Sequence, residues 1–195
     1  LNRSFDWGSS RPYSVGWWAE SDGARIQYPD GRVFQTRAGD LFRVKELYGW
    51  TGKPNEGTRE LAVEVARKIK EVDARFNQKV YAGPADPSIY TKVNNNCIGD
   101  DMAREKVYWE PAAAEPGSRV NGWEIMRKLL KASKDPTLGI PGLYIFDTCR
   151  QFIRTIPPLP RDQKDMDDVD SSVEDHVADE ARYRCLVKKH LLRAS

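Results

Sequence analysis

Apolar and polar positions alternate with two different periods along the chain. Residues 13–20 are rich in β-formers (Tyr13, Val15, Trp17, Trp18), and residues 41–48 alternate Leu41, Arg43 and Lys45 with Phe42 and Val44. Both segments predict strands. Phe5-Asp6-Trp7 reads as the end of an earlier strand, running into Gly8-Ser9-Ser10. Turn signals at Ser21-Asp22-Gly23 and Pro29-Asp30-Gly31-Arg32 bracket return strands at 24–28 and 33–35. The first fifty residues thus predict a meander of antiparallel strands.

The period then changes. Leu61, Val65, Ile69, Val72 and Phe76 recur at spacings of three and four, which predicts an amphipathic helix. Thr58 is its expected N-cap, with Glu64 and Lys68 paired at i,i+4 on its outer side. Residues 79–83 follow as a strand that stops at Pro84-Ala85-Asp86-Pro87, and a strand after a helix suggests a parallel crossover. Further on, a short helix is expected over 102–106 and a short strand at Tyr108-Trp109. A helix over 123–131 has Trp123, Met126 and Leu130 on one face. A buried-type strand at 143–146 and a short helix at 150–155 lead to the break Pro157-Pro158-Leu159-Pro160. Residues 161–174 form an acidic loop, read as a solvated surface segment, with screening or gating of the site as the alternative. A last helix over 175–192 turns Ala178, Tyr183 or Cys185, and Leu186 inward. This order predicts one α/β domain over residues 1–195: a mixed central sheet, antiparallel then parallel, flanked by helices on both faces.

Composition narrows the chemistry. Hydrophobic residues make up 39% and charged residues 31% of 195, a soluble globular balance with no apolar run of membrane-spanning length. The 31 basic and 29 acidic residues leave a net +2, which excludes a polycation but not a locally charged surface. With two histidines and three widely spaced cysteines, neither a zinc motif nor a secreted disulfide framework fits, and an intracellular setting follows. The start at Leu1, without Met, reads as a segment cut from something larger. No G-x-x-x-x-G-K-[ST] phosphate loop occurs.

Carboxylates remain as the candidate chemistry. Asp6 ends the first strand, Asp86 follows the strand after the first helix, and Asp175 opens the last helix with Asp179 one turn on. If the first and fourth strands are neighbours, Asp6 and Asp86 meet at one sheet edge, where the last helix presents Asp175. Taken singly, each such Asp is a turn former or cap, and Asp147 is left in that role. As a cluster, the acids repel one another unless a hard divalent cation sits among them. Two such ions activate water and stabilise a leaving oxygen at a phosphodiester. His176 reads as a packing or surface histidine, with assistance at the metal site as its alternative. Cys149 lacks a histidine near it in sequence and is not a nucleophile candidate. The run 165–170 lacks the glycine and the bidentate Glu of a calcium loop.

Several segments resemble one family in order. Phe5-Asp6-Trp7-Gly8-Ser9-Ser10-Arg11-Pro12-Tyr13-Ser14-Val15-Gly16-Trp17-Trp18 resembles the opening of the nuclease domain of phage terminase large subunits. Tyr48-Gly49-Trp50 with Gly52-Lys53-Pro54-Asn55-Glu56-Gly57, Gly83-Pro84-Ala85-Asp86-Pro87-Ser88-Ile89-Tyr90, and Pro141-Gly142-Leu143-Tyr144 with Phe146-Asp147-Thr148-Cys149 continue it. Glu174-Asp175-His176-Val177-Ala178-Asp179-Glu180 with Arg182-Tyr183 resembles the terminal acidic motif. The resemblance implies an RNase H-like fold and a two-metal endonuclease that cuts concatemeric double-stranded DNA. Asp6, Asp86 and Asp175 would be the catalytic metal ligands for two Mg²⁺ or Mn²⁺ ions, with Asp179 a fourth acid. It also implies a packaging ATPase domain ahead of this one, a portal and a small terminase subunit as partners, the host cytoplasm as location, and a monomeric isolated domain.

DNA binding would fall to Arg11 after the first strand and to Arg119, Arg127, Lys128, Lys131 and Lys134 around one helix, with Lys188, Lys189 and Arg193 at the end. Their ordinary reading is a solvated charge. Rival functions are another RNase H-like nuclease, a junction resolvase or integrase-type strand transferase, and a non-catalytic module docking on portal or motor.

Overall fold

A computed structural model describes residues 1–187. In chain order the elements are β1 (Asn2–Asp6), β2 (Ser14–Asp22), β3 (Arg25–Gln27), β4 (Val33–Gln35), β5 (Ala38–Tyr48) and α1 (Ala62–Asp73). There follow β6 (Pro84–Ala85), a 3-10 turn at Pro87–Tyr90, α2 (Ile98–Arg104), β7 (Glu110–Pro111) and α3 (Ser118–Lys134). A 3-10 turn at Pro136–Leu138, β8 (Leu143–Ile145), α4 (Arg150–Thr155) and α5 (His176–Leu186) complete it. The expected end of the last helix, and Lys188, Lys189 and Arg193, lie outside the described residues.

Six strands form one mixed sheet in the order β7-β6-β1-β2-β5-β8. β1, β2 and β5 are antiparallel neighbours, while β6 joins β1, β7 joins β6 and β8 joins β5 in parallel. α1 and α2 pack on one face with Phe5, Val15 and Trp17, and α3, α4 and α5 on the other with Trp18, Leu41 and Leu143. Successive side chains of β1 serve opposite faces: Arg3 pairs with Asp73 of α1, whereas Ser4 bonds Glu180 of α5.

The mixed sheet and the parallel crossover agree with the expectation, but the meander does not hold. β3 and β4 leave the sheet as a separate hairpin, and β2 pairs directly with β5. The hairpin's Ile26 and Val33 are exposed, while its Phe34 packs against Phe42 and Tyr144 of the main sheet. The strand expected at 79–83 falls on Pro84–Ala85, with only a bridge from Tyr81 to Asn2, and the one expected at Tyr108-Trp109 falls on Glu110–Pro111. The cap of α1 is Leu61 rather than Thr58, whose hydroxyl donates to Glu60. Glu64 is drawn back to accept the Leu61 N–H at 2.7 Å, and Lys68 pairs with Glu60 instead of Glu64. The helix begins later because Glu64 satisfies the orphan backbone donor of Leu61.

α5 carries the largest share of the unusual packing. Ten of its eleven residues are buried, among them Asp179, Glu180, Arg182 and Arg184, so it cannot show a simple apolar stripe. Glu180 accepts from the hydroxyls of Ser4 and Ser14, from Trp18 Nε1 at 3.1 Å, and from the guanidinium of Arg43 on β5. Arg43 and Glu180 are both fully buried. Gly16 makes room for them, since a Cβ there would collide with the Glu180 carboxylate and the Arg43 guanidinium. Gly122 likewise lets α3 approach α5, where a Cβ would strike the stem of Arg182. The helix is thereby fixed over β1 and β2 with its first turn at the carboxyl end of β1.

Candidate active site

Asp6 is the last residue of β1, and Asp86 directly follows β6. The register pairs Phe5 with Ala85, and the Asp86 N–H donates to the Phe5 carbonyl at 2.9 Å. The two acids therefore leave the carboxyl ends of adjacent parallel strands side by side, as the strand order required. Asp175 is the N-cap of α5, and Asp179 lies one turn on. Asp6, Asp175 and Asp179 are buried.

Each acid already has a partner. Asp6 Oδ2 lies 3.2 Å from His176 Nδ1, and His176 Nε2 lies 2.9 Å from Asn55 Oδ1. Both ring nitrogens face oxygen acceptors, which suits the imidazolium. Asp86 turns back on its own 3-10 turn, accepting from Ser88 N at 2.9 Å and Ser88 Oγ at 2.6 Å. Asp179 accepts from Arg182 at 2.8 and 3.0 Å. The guanidinium of Arg119, from the first turn of α3, spans the remaining space. It reaches both oxygens of Asp179 at 3.1 Å, Asp175 at 3.4 Å and Asp168 of the acidic loop at 2.9 and 3.0 Å.

The electrostatics show that the acids share one environment. Burial pushes the Asp6 carboxyl up to about 7, with Asp179 and Asp86 adding to the rise and the His176 hydrogen bond opposing it. Asp175 is also raised, by burial first and then by Asp179. His176 is raised because Asp6, Asp175 and Asp179 outweigh its desolvation. Tyr183 is raised by burial and then by Asp6, Asp179 and Asp86, which places its ring among the same carboxylates.

Among the described residues, no three His, Cys, Asp or Glu side chains converge tightly enough to hold a metal ion as they stand. The donor chemistry nevertheless fits a hard divalent cation. Oxygen donors dominate, and burial raises the Asp6 carboxyl against the opposing pull of His176. In the conformation described, His176 and Arg119 supply the positive charge.

The sequence reading placed Arg119 among phosphate contacts, whereas its guanidinium is turned into the acids. Of the other candidate DNA contacts, Arg11 is exposed in the loop after Asp6, Lys128 pairs with Glu124 at 2.6 Å, and Lys131 is exposed. Arg127 donates to the Asp167 carbonyl at 3.3 Å. Asn55, Asp168 and Tyr183 join the site without a role assigned to them from the sequence, Asn55 and Asp168 because they arrive from separate loops and Tyr183 because it is a turn on from Asp179 in α5. The three cysteines are buried and free, and burial raises Cys149 to about 11 and Cys185 to about 12.

A five-stranded order with three antiparallel strands and two parallel ones, extended by β8 and with acids at the ends of β1 and β6, is an RNase H-like α/β architecture. More particularly, the chain has the fold of the nuclease domain of phage large terminases. It superposes on the large terminase of the thermophilic bacteriophage D6E with a TM-score of 0.65 at 15% identity, covering 94% of this chain and 38% of that one. The ATP-γ-S complex of the same terminase gives 0.66 at 15% identity, again covering 94% of this chain and 38% of the other. The P22 large terminase nuclease domain gives 0.58 at 15% identity, covering 93% of this chain and 77% of that one. This chain thus spans about 38% of the length of the D6E protein. No protein-family model and no curated protein matches it.

Proposed function

We propose that this chain is the nuclease domain of a viral genome-packaging terminase and cleaves double-stranded DNA with two Mg²⁺ or Mn²⁺ ions. The observation that carries the reading is the meeting of Asp6 and Asp86 at paired strand ends with Asp175 and Asp179 of α5 facing them, on a terminase nuclease fold. Asp6, Asp86 and Asp175 would hold the ions, with Asp179 as a fourth donor. Bound ions supply an activated water and stabilisation of the leaving oxygen.

The protein's own residues do the rest. The Glu180–Arg43 pair anchors α5 on the sheet, which fixes the α5 acids relative to Asp6. Asn55 orients the imidazole of His176, and that ring orients Asp6. Arg11 and Lys131 offer exposed cations for phosphates. By likeness to the large terminases, the ATPase domain, the portal and the small subunit are the expected partners in a packaging motor in the host cytoplasm. No helix among the described residues is long and apolar enough to cross a membrane.

Plasmid nicking with Mn²⁺ or Mg²⁺ tests the proposal. Wild type should convert supercoiled plasmid to nicked and linear forms, and Asp6→Asn and Asp175→Asn should lose at least about a hundredfold in rate. Equal cleavage by all three proteins would overturn it.

A further inference from the structure

The side chain of Arg119 is the least expected feature of the site. One guanidinium touches carboxylates from two places: Asp175 and Asp179 on α5, and Asp168 on the acidic loop. The guanidinium lies over the ring of Trp123, 5.4 Å from its centre, and Trp123 Nε1 also donates to Asp168 at 2.7 Å. Asp168 is thus held twice from α3, and it is the point at which residues 161–174 are fastened next to the acids. The chain closes the far end of the same loop separately, with Glu174 bound to Tyr48 at 2.7 Å and to Arg154 at 2.5 and 2.9 Å.

A planar guanidinium between carboxylates satisfies the same charge requirement as a divalent ion, with directed hydrogen bonds in place of coordination. The two cannot share the same lone pairs of Asp175 and Asp179. We propose that Arg119 is a tethered counter-ion of the acid cluster that competes with the divalent cation for Asp175 and Asp179, and so couples metal binding to release of the 161–174 loop. The inference rests on the metal-site reading above and adds its regulation.

The coupling follows from the contacts. When an ion takes Asp175 and Asp179, Arg119 is left with Asp168 alone and withdraws from the acids, which loosens the grip that it and Trp123 together keep on Asp168. Linkage is reciprocal: whatever draws Arg119 away from Asp175 and Asp179, a DNA phosphate included, raises the affinity for metal. The metal-free protein is then closed and weakly metal-binding, which holds an endonuclease inactive until DNA or an assembly partner engages it.

The test is Mn²⁺ titration by calorimetry on the whole chain, wild type against Arg119→Gln and Arg119→Lys, combined with tryptic cleavage at Lys164. Lys164 is exposed in the loop. Arg119→Gln should bind Mn²⁺ more tightly, on the order of tenfold, and its loop should be cut rapidly even in EDTA. In wild type, cutting at Lys164 should accelerate when Mn²⁺ is added. Arg119→Lys keeps the charge without the fork and should fall between the two, which also guards against a folding defect in the Gln variant. Mn²⁺ binding to wild type with unchanged or weaker binding to both variants would overturn the inference and leave the metal reading standing. Absence of Mn²⁺ binding to every protein would overturn both.

Discussion

Asp6 and His176 stand 170 residues apart in sequence and meet with Oδ2 of the acid 3.2 Å from Nδ1 of the ring. Strand β1 ends on one and helix α5 begins on the other. The contact therefore records how the first and last elements of the fold are brought together, and it opposes the rise that burial imposes on Asp6.

The pair makes the metal-free protein less stable as pH rises. The Asp6 carboxyl is raised to about 7, so between its ordinary range and about 7 the folded state retains a proton that the unfolded chain has lost. Stability from this source is complete below the unfolded pKa and is lost as pH rises through the folded one. His176 is raised as well, and its contribution is lost in the same direction, above its unfolded value. Thermal midpoints in EDTA should fall from about pH 5 to about pH 8. Asp6→Asn should flatten that slope and be the more stable protein at the upper pH. A wild-type midpoint that rises over this range would contradict the assignment.

The buried pair of Arg43 and Glu180 should be costly to break and cheap to replace. Glu180→Ala leaves a buried guanidinium with only the more distant Glu46, at 3.6 Å, as a counter-ion, a loss of about 3–5 kcal/mol, or roughly 6–20 °C for a chain of this size. Arg43→Met with Glu180→Leu removes both charges and should recover most of the midpoint. If α5 is held in place by this network, Glu180→Gln should also weaken Mn²⁺ binding while remaining folded by circular dichroism. A Glu180→Ala protein as stable as wild type would remove the network from the account.

Arg11 and Lys128 should separate in DNA binding. Arg11 is exposed in the loop after Asp6, whose Ser9 and Ser10 carbonyls are fixed by Arg59 N and Gly57 N at 3.1 and 2.8 Å. Lys128 is engaged with Glu124. Arg11→Ala should weaken duplex binding uniformly across sequences and lower the log–log salt slope by about 1. Lys128→Ala should change little, and the reverse ranking would place the duplex along the outer side of α3.

What the sequence makes legible follows from periodicity. Val65, Ile69 and Val72 identify α1 because one face alone is buried, whereas Leu61, the first member of the expected stripe, caps the helix and is exposed. Asp6 and Asp86 stand out because each terminates a strand at a Gly- or Pro-rich break, and the parallel pairing of β1 with β6 brings them together. The β3–β4 hairpin misleads because Ile26, Val33 and Phe34 have strand character whether or not they join the main sheet. α5 is hard to read because its buried face is wide and carries ion-paired residues where an apolar stripe would be expected. Arg119 is read as a phosphate contact or solvated charge for another reason. A basic residue in the first turn of a helix reads as solvated charge, and only the tertiary approach of α3 to α5, allowed by Gly122, directs it to Asp179.

Anomalous diffraction from crystals of the protein soaked in Mn²⁺ tests the central claim most directly. The account predicts manganese peaks bound by Asp6 together with Asp86 and the α5 acids Asp175 or Asp179, with the Arg119 guanidinium withdrawn from them. Crystals that diffract well and show no manganese at these carboxylates, with Arg119 still bridging Asp175 and Asp179, would contradict it.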